Sequence, residues 1–286
     1  MKNNRWKLIK IKFKKEFEDL ILGEIADFEF NGIENVDAGK YVIFKIFFPE
    51  NFDGKLLRNR LKKYGAEFLG ERIIFQENWD EKWRKNFRGV ECGVFFIRPP
   101  WMEKKSEKID VVIEPGGAFG TGLHETTQLC LERIPHLFKS GYSILDAGCG
   151  SGILMISTIR FADENGVKVG KVVGVDIEEE SIKESFKNLS LNKISENRVE
   201  LFNSNLKKFN FPQKFDLIFA NMLYNEIEMN IEKMKSLLRE GGFLLFSGIL
   251  TSEREDFLQL LKRNDFSVRG VFEKNKWLLF EVKVVR

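Results

Sequence analysis

The sequence predicts an α/β protein in two parts. A doubly wound, mostly parallel sheet closed by an antiparallel hairpin follows a smaller α+β domain. Three observations carry that expectation. From residue 142 onward, short apolar runs alternate with helical patterns, the mark of parallel βαβ units. The last two apolar runs, 266–271 and 277–284, have no helical pattern between them and read as a hairpin. Before residue 77 the order is instead strand, helix, strand, strand, helix, strand. With 286 residues, 43% hydrophobic and 31% charged, the chain is long enough for two cores and has a globular composition. Its 28 phenylalanines are read as core filling.

The first part opens on a clean alternation: Ile9, Ile11 and Phe13 on one face, Lys10, Lys12 and Lys14 on the other. Phe17, Leu20, Ile21 and Ile25 then fall at helical spacing, a weak strand follows near 29–36, and 40–48 is a strong one. Leu57, Leu61 and Tyr64 mark a second helix, and 72–76 a last short strand. That order fits a ferredoxin-like sandwich. Basic residues gather at 2–15 and 55–63, and residues 1–105 carry 22 Lys and Arg against 17 Asp and Glu, whereas the rest carries 24 against 26. A charged face in water and a surface docking a ribosome or rRNA both fit this bias. The glycine-framed aromatic strand of an RNA-recognition module is absent from the nearest stretch, 40–46.

Residues 79–101 read as a connector. Trp79, Trp83 and Phe87 make a one-sided aromatic stripe, a strand is expected at 94–97, and Pro99 and Pro100 stiffen the chain. The boundaries expected are a ferredoxin-like substrate-recognition domain at 1–77, a linker at 78–108 and a catalytic domain at 109–286. A strand at 109–114 leads into a glycine-rich loop, 115–122, whose composition suits a lid or cofactor clamp. A helix is expected to start near His124, with Thr126 or Thr127 suited to cap it.

The next stretch organises the chain. A buried strand at 142–145 reaches Asp146, turns through Gly148, Gly150 and Gly152, and enters a helix at 153–164. Such a turn brings backbone close to a ligand and aims the free N–H groups of a helix end at it. The spacing is not the G-x-G-x-x-G of dinucleotide sites, because Ile153 stands at the third glycine's place. D-x-G-x-G-x-G resembles motif I of the Rossmann-like, class I S-adenosylmethionine methyltransferases. The expected companion is an acid ending the next strand, to bind ribose hydroxyls, and Asp176 stands there. Helix 178–192, strands 198–202 and 215–220, helix 226–239, strand 242–247 and helix 252–262 complete the series before the hairpin.

Ligands in such sheets lie beyond the carboxyl ends of the strands. Strand 215–220 ends at Asn221-Met222-Leu223-Tyr224, where a methyl acceptor would meet the donor. The run resembles the N/D-P-P-Y of amine methyltransferases, with both prolines replaced. Asn221 is a candidate to orient an amine; capping the following helix is the alternative. For a lysine acceptor the obstacle is protonation, about 4.6 kcal/mol at pH 7 for a free pKa near 10.4. His124 is the one candidate base, and a positioning role suits it equally.

Cys92, Cys130, Cys149, His124 and His136 have no metal-ligand spacing, so no zinc site is expected. The start has no apolar signal region, and no window approaches 18 apolar residues, so the expectation is a cytoplasmic protein that contacts no membrane. Nothing reads as a dimer stripe, and a monomer is expected.

Together EPGGAFGTGLHETT, the glycine turn, GVDI at Asp176, NMLYNE from Asn221 and SGIL at Ser247 resemble the PrmA family, methyltransferases of large-ribosomal-subunit protein eleven. The resemblance is dense over 109–285 and extends through the tryptophan connector; over 1–75 it is topological. It implies a cytoplasmic enzyme that trimethylates lysine side chains and an N-terminal amine of that protein, with the N-terminal domain holding the substrate. It also implies donor contacts from Thr127, Gly148, Asp176 and Asn221, with Phe119 near the methyl group and, with Asn221, catalytic; Asp146, Gly150 and Gly152 complete the expected donor site. Glu114 stands where the family has Asp, and the insertion 163–170 is expected to alter what covers the adenosine. The alternatives are an RNA or small-amine methyltransferase of the same class, or a non-catalytic module that binds the cofactor.

Overall fold

A computed structural model of the chain describes residues 5–26, 28–75, 89–115 and 124–285. It divides into two compact units, Met1–Phe87 and Arg88–Arg286.

In the first unit, strand β1 (Arg5–Lys14), helix α1 (Glu18–Ala26), β2 (Gly32–Ala38), β3 (Tyr41–Pro49), helix α2 (Gly54–Leu61) and β4 (Glu67–Phe75) form an antiparallel sheet in the order β2-β3-β1-β4. This is the ferredoxin-like arrangement expected. Period-two alternation puts Ile9, Ile11 and Phe13 beside Val42, Phe44, Ile46 and Phe48, and the helices cover them with Ile21, Ile25, Leu57 and Leu61. Asp53 caps α2 by accepting from the Lys55 N–H at 2.9 Å.

The second unit begins earlier than the sequence suggests. β5 (Val90–Cys92) and β6 (Phe95–Arg98) form a hairpin, and β6 pairs in parallel with β7 (Ile109–Val112). The expected linker therefore contains two strands of a small three-stranded sheet, β5-β6-β7, that belongs to the second unit. Arg98 fixes the crossover by a bidentate bond to Asp110, at 2.6 and 2.7 Å. Trp79, Trp83 and Phe87 lie outside the described residues.

Then come α3 (Glu125–Leu137), β8 (Ile144–Ala147), α4 (Ile153–Glu164), β9 (Val172–Asp176), α5 (Glu179–Leu191), β10 (Val199–Asn203), β11 (Phe215–Asn221), α6 (Tyr224–Leu237), β12 (Leu238–Leu250), α7 (Arg254–Arg263), β13 (Phe266–Lys274) and β14 (Trp277–Val284). The sheet order is β10-β9-β8-β11-β12-β14-β13, with β14 antiparallel to both its neighbours. Helices cover both faces. One core joins α3, α4 and α5 to the sheet through residues such as Leu129, Met155 and Leu189; the other joins α6 and α7 through Ile231, Phe257 and Leu261. Phenylalanines fill these layers: the Phe246 ring meets Phe257 and Phe266 edge-on at 5.6 and 5.8 Å. Among the described residues no helix is long and apolar enough to cross a membrane.

Candidate functional site

The strand order reverses between β8 and β11. From β8 the chain proceeds outward through β9 and β10, and from β11 it proceeds the other way through β12. The carboxyl ends of adjacent β8 and β11 therefore border a crevice. Residues from four elements gather there.

The turn leaving β8 holds Gly148, Gly150 and Gly152 at φ 73°, 51° and 77°, left-handed values that side chains resist. Its N–H groups at Gly148 and Cys149 bond the Val175 carbonyl of β9 at 2.8 and 3.1 Å. Asp176, ending β9, accepts from the Gly150 N–H at 2.9 Å and the Glu178 N–H at 3.0 Å. The acid and the glycine turn expected to share a ligand are thus directly bonded.

Asn221, ending β11, donates through Nδ2 to Thr127 Oγ1 at 3.3 Å. It does not cap α6: that N-cap is Leu223, whose N–H donates to the Glu226 carboxylate at 3.1 Å. Thr127 is fully buried on α3. The helix begins where expected, but its cap is a different residue. His124 is the N-cap, and its Nδ1 accepts from the Thr126 N–H and lies 2.8 Å from the Thr126 hydroxyl. Its ring also packs edge-on against Trp277 at 5.1 Å. His124 is thus engaged in holding the helix start.

Two turns touch at the crevice. A methyl group on Gly148 would lie 3.0 Å from the Met222 Cε. Sequence reading passed over the other support of the Asn221 turn. Gly248, at φ 95°, brings the backbone so close that a Cβ there would lie 2.3 Å from the Met222 carbonyl oxygen. The Met222 N–H donates to the Ser247 carbonyl at 3.1 Å. The signal was the glycine in SGIL, a small residue at the end of a strand that must let another backbone approach. Ile177, directly after Asp176, is 63% exposed.

Phe119 and the run 116–123 lie outside the described residues. The insertion 163–170 requires a correction. Gly141 and Gly170 exchange backbone bonds with Lys168 and Tyr142, at 2.8 and 2.9 Å, so the loop packs against the chain entering β8. Because α4 starts at the glycine turn and runs back along the sheet, its far end lies at the amino ends of the strands. The longer loop sits at the end of the sheet opposite the crevice.

Asp146 tests whether these residues fit a cationic ligand. Its Oδ2 is buried without a hydrogen-bond partner among the described residues. Burial pushes its carboxyl well above the ordinary range; the Met155 backbone amide counters this in part, and Asp176 adds to the rise. A positively charged group at the turn would supply a partner for this oxygen. The Cys149 thiol is likewise raised by burial and by Asp146, which makes it a packed neutral group rather than a nucleophile.

A reversed strand order, a glycine turn without pyrophosphate spacing and an acid at the next strand end define a class I methyltransferase, with S-adenosylmethionine as methyl donor. The model of the family "Ribosomal protein L11 methyltransferase (PrmA)" matches residues 9–284, and the chain belongs to this family. A ribosomal protein L11 methyltransferase of Caldicellulosiruptor bescii is 31% identical, over 96% of this chain and 97% of that one. One of Nitratiruptor sp. is 33% identical, over 92% and 90%. The crystal structure of a ribosomal protein L11 methylase from Lactobacillus delbrueckii subsp. bulgaricus superposes with a TM-score of 0.62 at 27% identity, over 70% of this chain and all of that one.

Proposed function

We propose that the chain methylates lysine side-chain amines, and an N-terminal amine, of ribosomal protein L11, the protein for which its relatives are named. The observation that carries this reading is Asn221: a side-chain amide at the end of β11, anchored by Thr127, one strand from the glycine turn.

When bound, S-adenosylmethionine supplies a methyl carbon already activated by its sulfonium. The chain's own residues do the rest. Gly148, Gly150 and Gly152 let the backbone approach the donor, Asp146 faces its charged tail, and the Asp176 carboxylate accepts from its ribose hydroxyls. Ile177 offers an apolar face to the adenine, and Thr127 holds Asn221. With Nδ2 committed to Thr127, the Asn221 Oδ1 is the group that accepts from an incoming amine and aims its lone pair. No described residue is arranged as a dedicated base. A lysine must therefore lose its proton by desolvation, against a cost of about 4.6 kcal/mol at pH 7. Phe119 is assigned to the neighbourhood of the methyl group by resemblance alone.

The N-terminal unit holds the ribosomal protein in this reading, its basic stretches facing that protein or adjoining rRNA. The enzyme works in the cytoplasm as a monomer. Incubation with labelled donor and either purified L11 or rRNA tests the assignment, with intact-mass measurement of L11 before and after. Methyl increments on L11 that disappear when its amines are blocked are expected. Label entering only the RNA would overturn it.

A further inference from the structure

Helix α5 turns a buried polar edge toward the glycine turn. Ser185, Asn188 and Asn192 recur at spacings of three and four, along one face of the helix and its C-cap, and are 0%, 1% and 7% exposed. That face of an amphipathic helix is ordinarily apolar, and buried polar groups are costly unless bonded. All three are bonded, and apart from a contact of the Ser185 hydroxyl with Cys149 Sγ at 3.7 Å their partners are backbone. The Ser185 hydroxyl donates to the Gly150 carbonyl at 2.8 Å. Asn188 Nδ2 donates to the Ser151 carbonyl at 2.9 Å, while its Oδ1 accepts from the Glu114 N–H, also at 2.9 Å. Asn192 accepts from the Val112 N–H at 2.8 Å and donates to the Val112 carbonyl at 2.6 Å.

Two consecutive carbonyls of the turn are therefore drawn toward α5, while the Gly150 N–H is drawn to Asp176. A turn with glycines at every second position has many accessible conformations, and its own sequence selects none of them. The selection comes from a helix about thirty-five residues further along the chain. We propose that Ser185 and Asn188 are positioning residues for the methyl donor: they hold the turn in its donor-binding shape before the donor arrives, and Asn188 ties that shape to the end of β7. Preorganisation of this kind raises affinity by removing an ordering cost from the binding step. The proposal rests on the glycine turn being the donor's seat. Asn192 is the internal control, because its bonds run to β7 and to α5 itself and none reaches the turn.

The test uses the full chain, titrated calorimetrically with S-adenosylmethionine, melted thermally and assayed at varied donor concentration. Ser185→Ala and Asn188→Ala are each expected to raise the donor Kd and KM about tenfold, with kcat at saturating donor within about threefold of wild type. Asn192→Ala is expected to lower the melting temperature at least as much, with donor Kd unchanged. Equal weakening by all three variants overturns the proposal, as does a lower melting temperature in the first two with Kd unmoved. Should Asn188→Ala not fold, Asn188→Asp keeps the bond from Glu114 and loses the donor to Ser151. Ser185→Ala, smaller by one oxygen, carries the comparison in any case. A wild-type chain that takes up no donor overturns the seat itself; a wild-type chain that binds while the variants bind equally overturns only the positioning role.

Discussion

The two turns that meet in the crevice are built in opposite ways. The glycine turn after β8 exposes Gly148 but buries the residues from Cys149 to Gly152, and it is bonded on several sides: to β9 through Val175 and Asp176, and to α5 through Ser185 and Asn188. The turn after β11 is open. Leu223 is 61% exposed, and Asn221 has one described side-chain bond, to Thr127. In the proposed function the difference follows from what each turn binds. A small donor of constant shape is best met by a rigid, desolvated seat. An amine carried on a large polypeptide has to reach its reaction partner from solvent, which requires an uncovered approach.

If the open turn carries the acceptor chemistry, its variants should lower turnover and spare donor binding. Asn221→Ala should have the largest effect, about 10²- to 10³-fold in single-turnover rate, the scale of losing one positioned polar group. Donor Kd should move far less than the rate, since the glycine turn and Asp176 are untouched and Asn221 is only one of the donor contacts that the resemblance implies. A parallel loss of donor affinity would end the division of labour. Gly248→Ala comes next. The added carbon would strike the Met222 carbonyl in a backbone conformation that already disfavours a side chain. About 2–3 kcal/mol of stability should be lost, or roughly 5–10 °C in a thermal melt, with turnover falling as the Asn221 turn shifts. Unchanged melting with full activity would mean the contact between β12 and the turn positions nothing.

On the closed side, Asp176→Asn should weaken donor binding about tenfold, because a charged acceptor of ribose hydroxyls becomes a neutral one. Turnover at saturating donor should be spared, the converse of Asn221→Ala. A lower saturating rate with intact affinity would transfer Asp176 from the donor to the chemistry.

This asymmetry also explains what was legible in the sequence. Asp146, the three glycines and Asp176 stand out because a rigid seat is built from local rules: an apolar run, a left-handed turn, an acid at a strand end. Asn221 was legible by its place at the end of a strand. The braces were not. Ser185, Asn188 and Asn192 look like solvated helix polarity until the fold buries them, and Gly248 looks like a strand end until Met222 is brought against it. β4 begins at Glu67, five residues before the expected start, because a bulge opposite Lys10 and Ile11 breaks the alternation that marks a strand. The parallel β6–β7 pair was hidden for another reason, since pairing across a ten-residue crossover is not a local property.

The smallest effect concerns Asp146, a buried carboxyl of the closed side whose Oδ2 has no partner among the described residues. Its folded pKa is raised, chiefly by burial, so the folded chain binds this proton more tightly than the unfolded chain does. The resulting stability is fully present below the ordinary aspartate value and is lost as pH rises toward the folded pKa. Asp146→Asn removes that titration. Relative to wild type, its melting temperature should climb by a few degrees from acid to neutral pH. Donor binding should report the same group with the opposite sign. A cationic tail beside Oδ2 favours the ionised form, so wild-type affinity should strengthen with pH through the raised pKa and then level off. The Asn variant should show a flat profile. A wild-type profile equally flat would remove Asp146 from the donor's surroundings and leave the carboxyl as a strained part of the strand end.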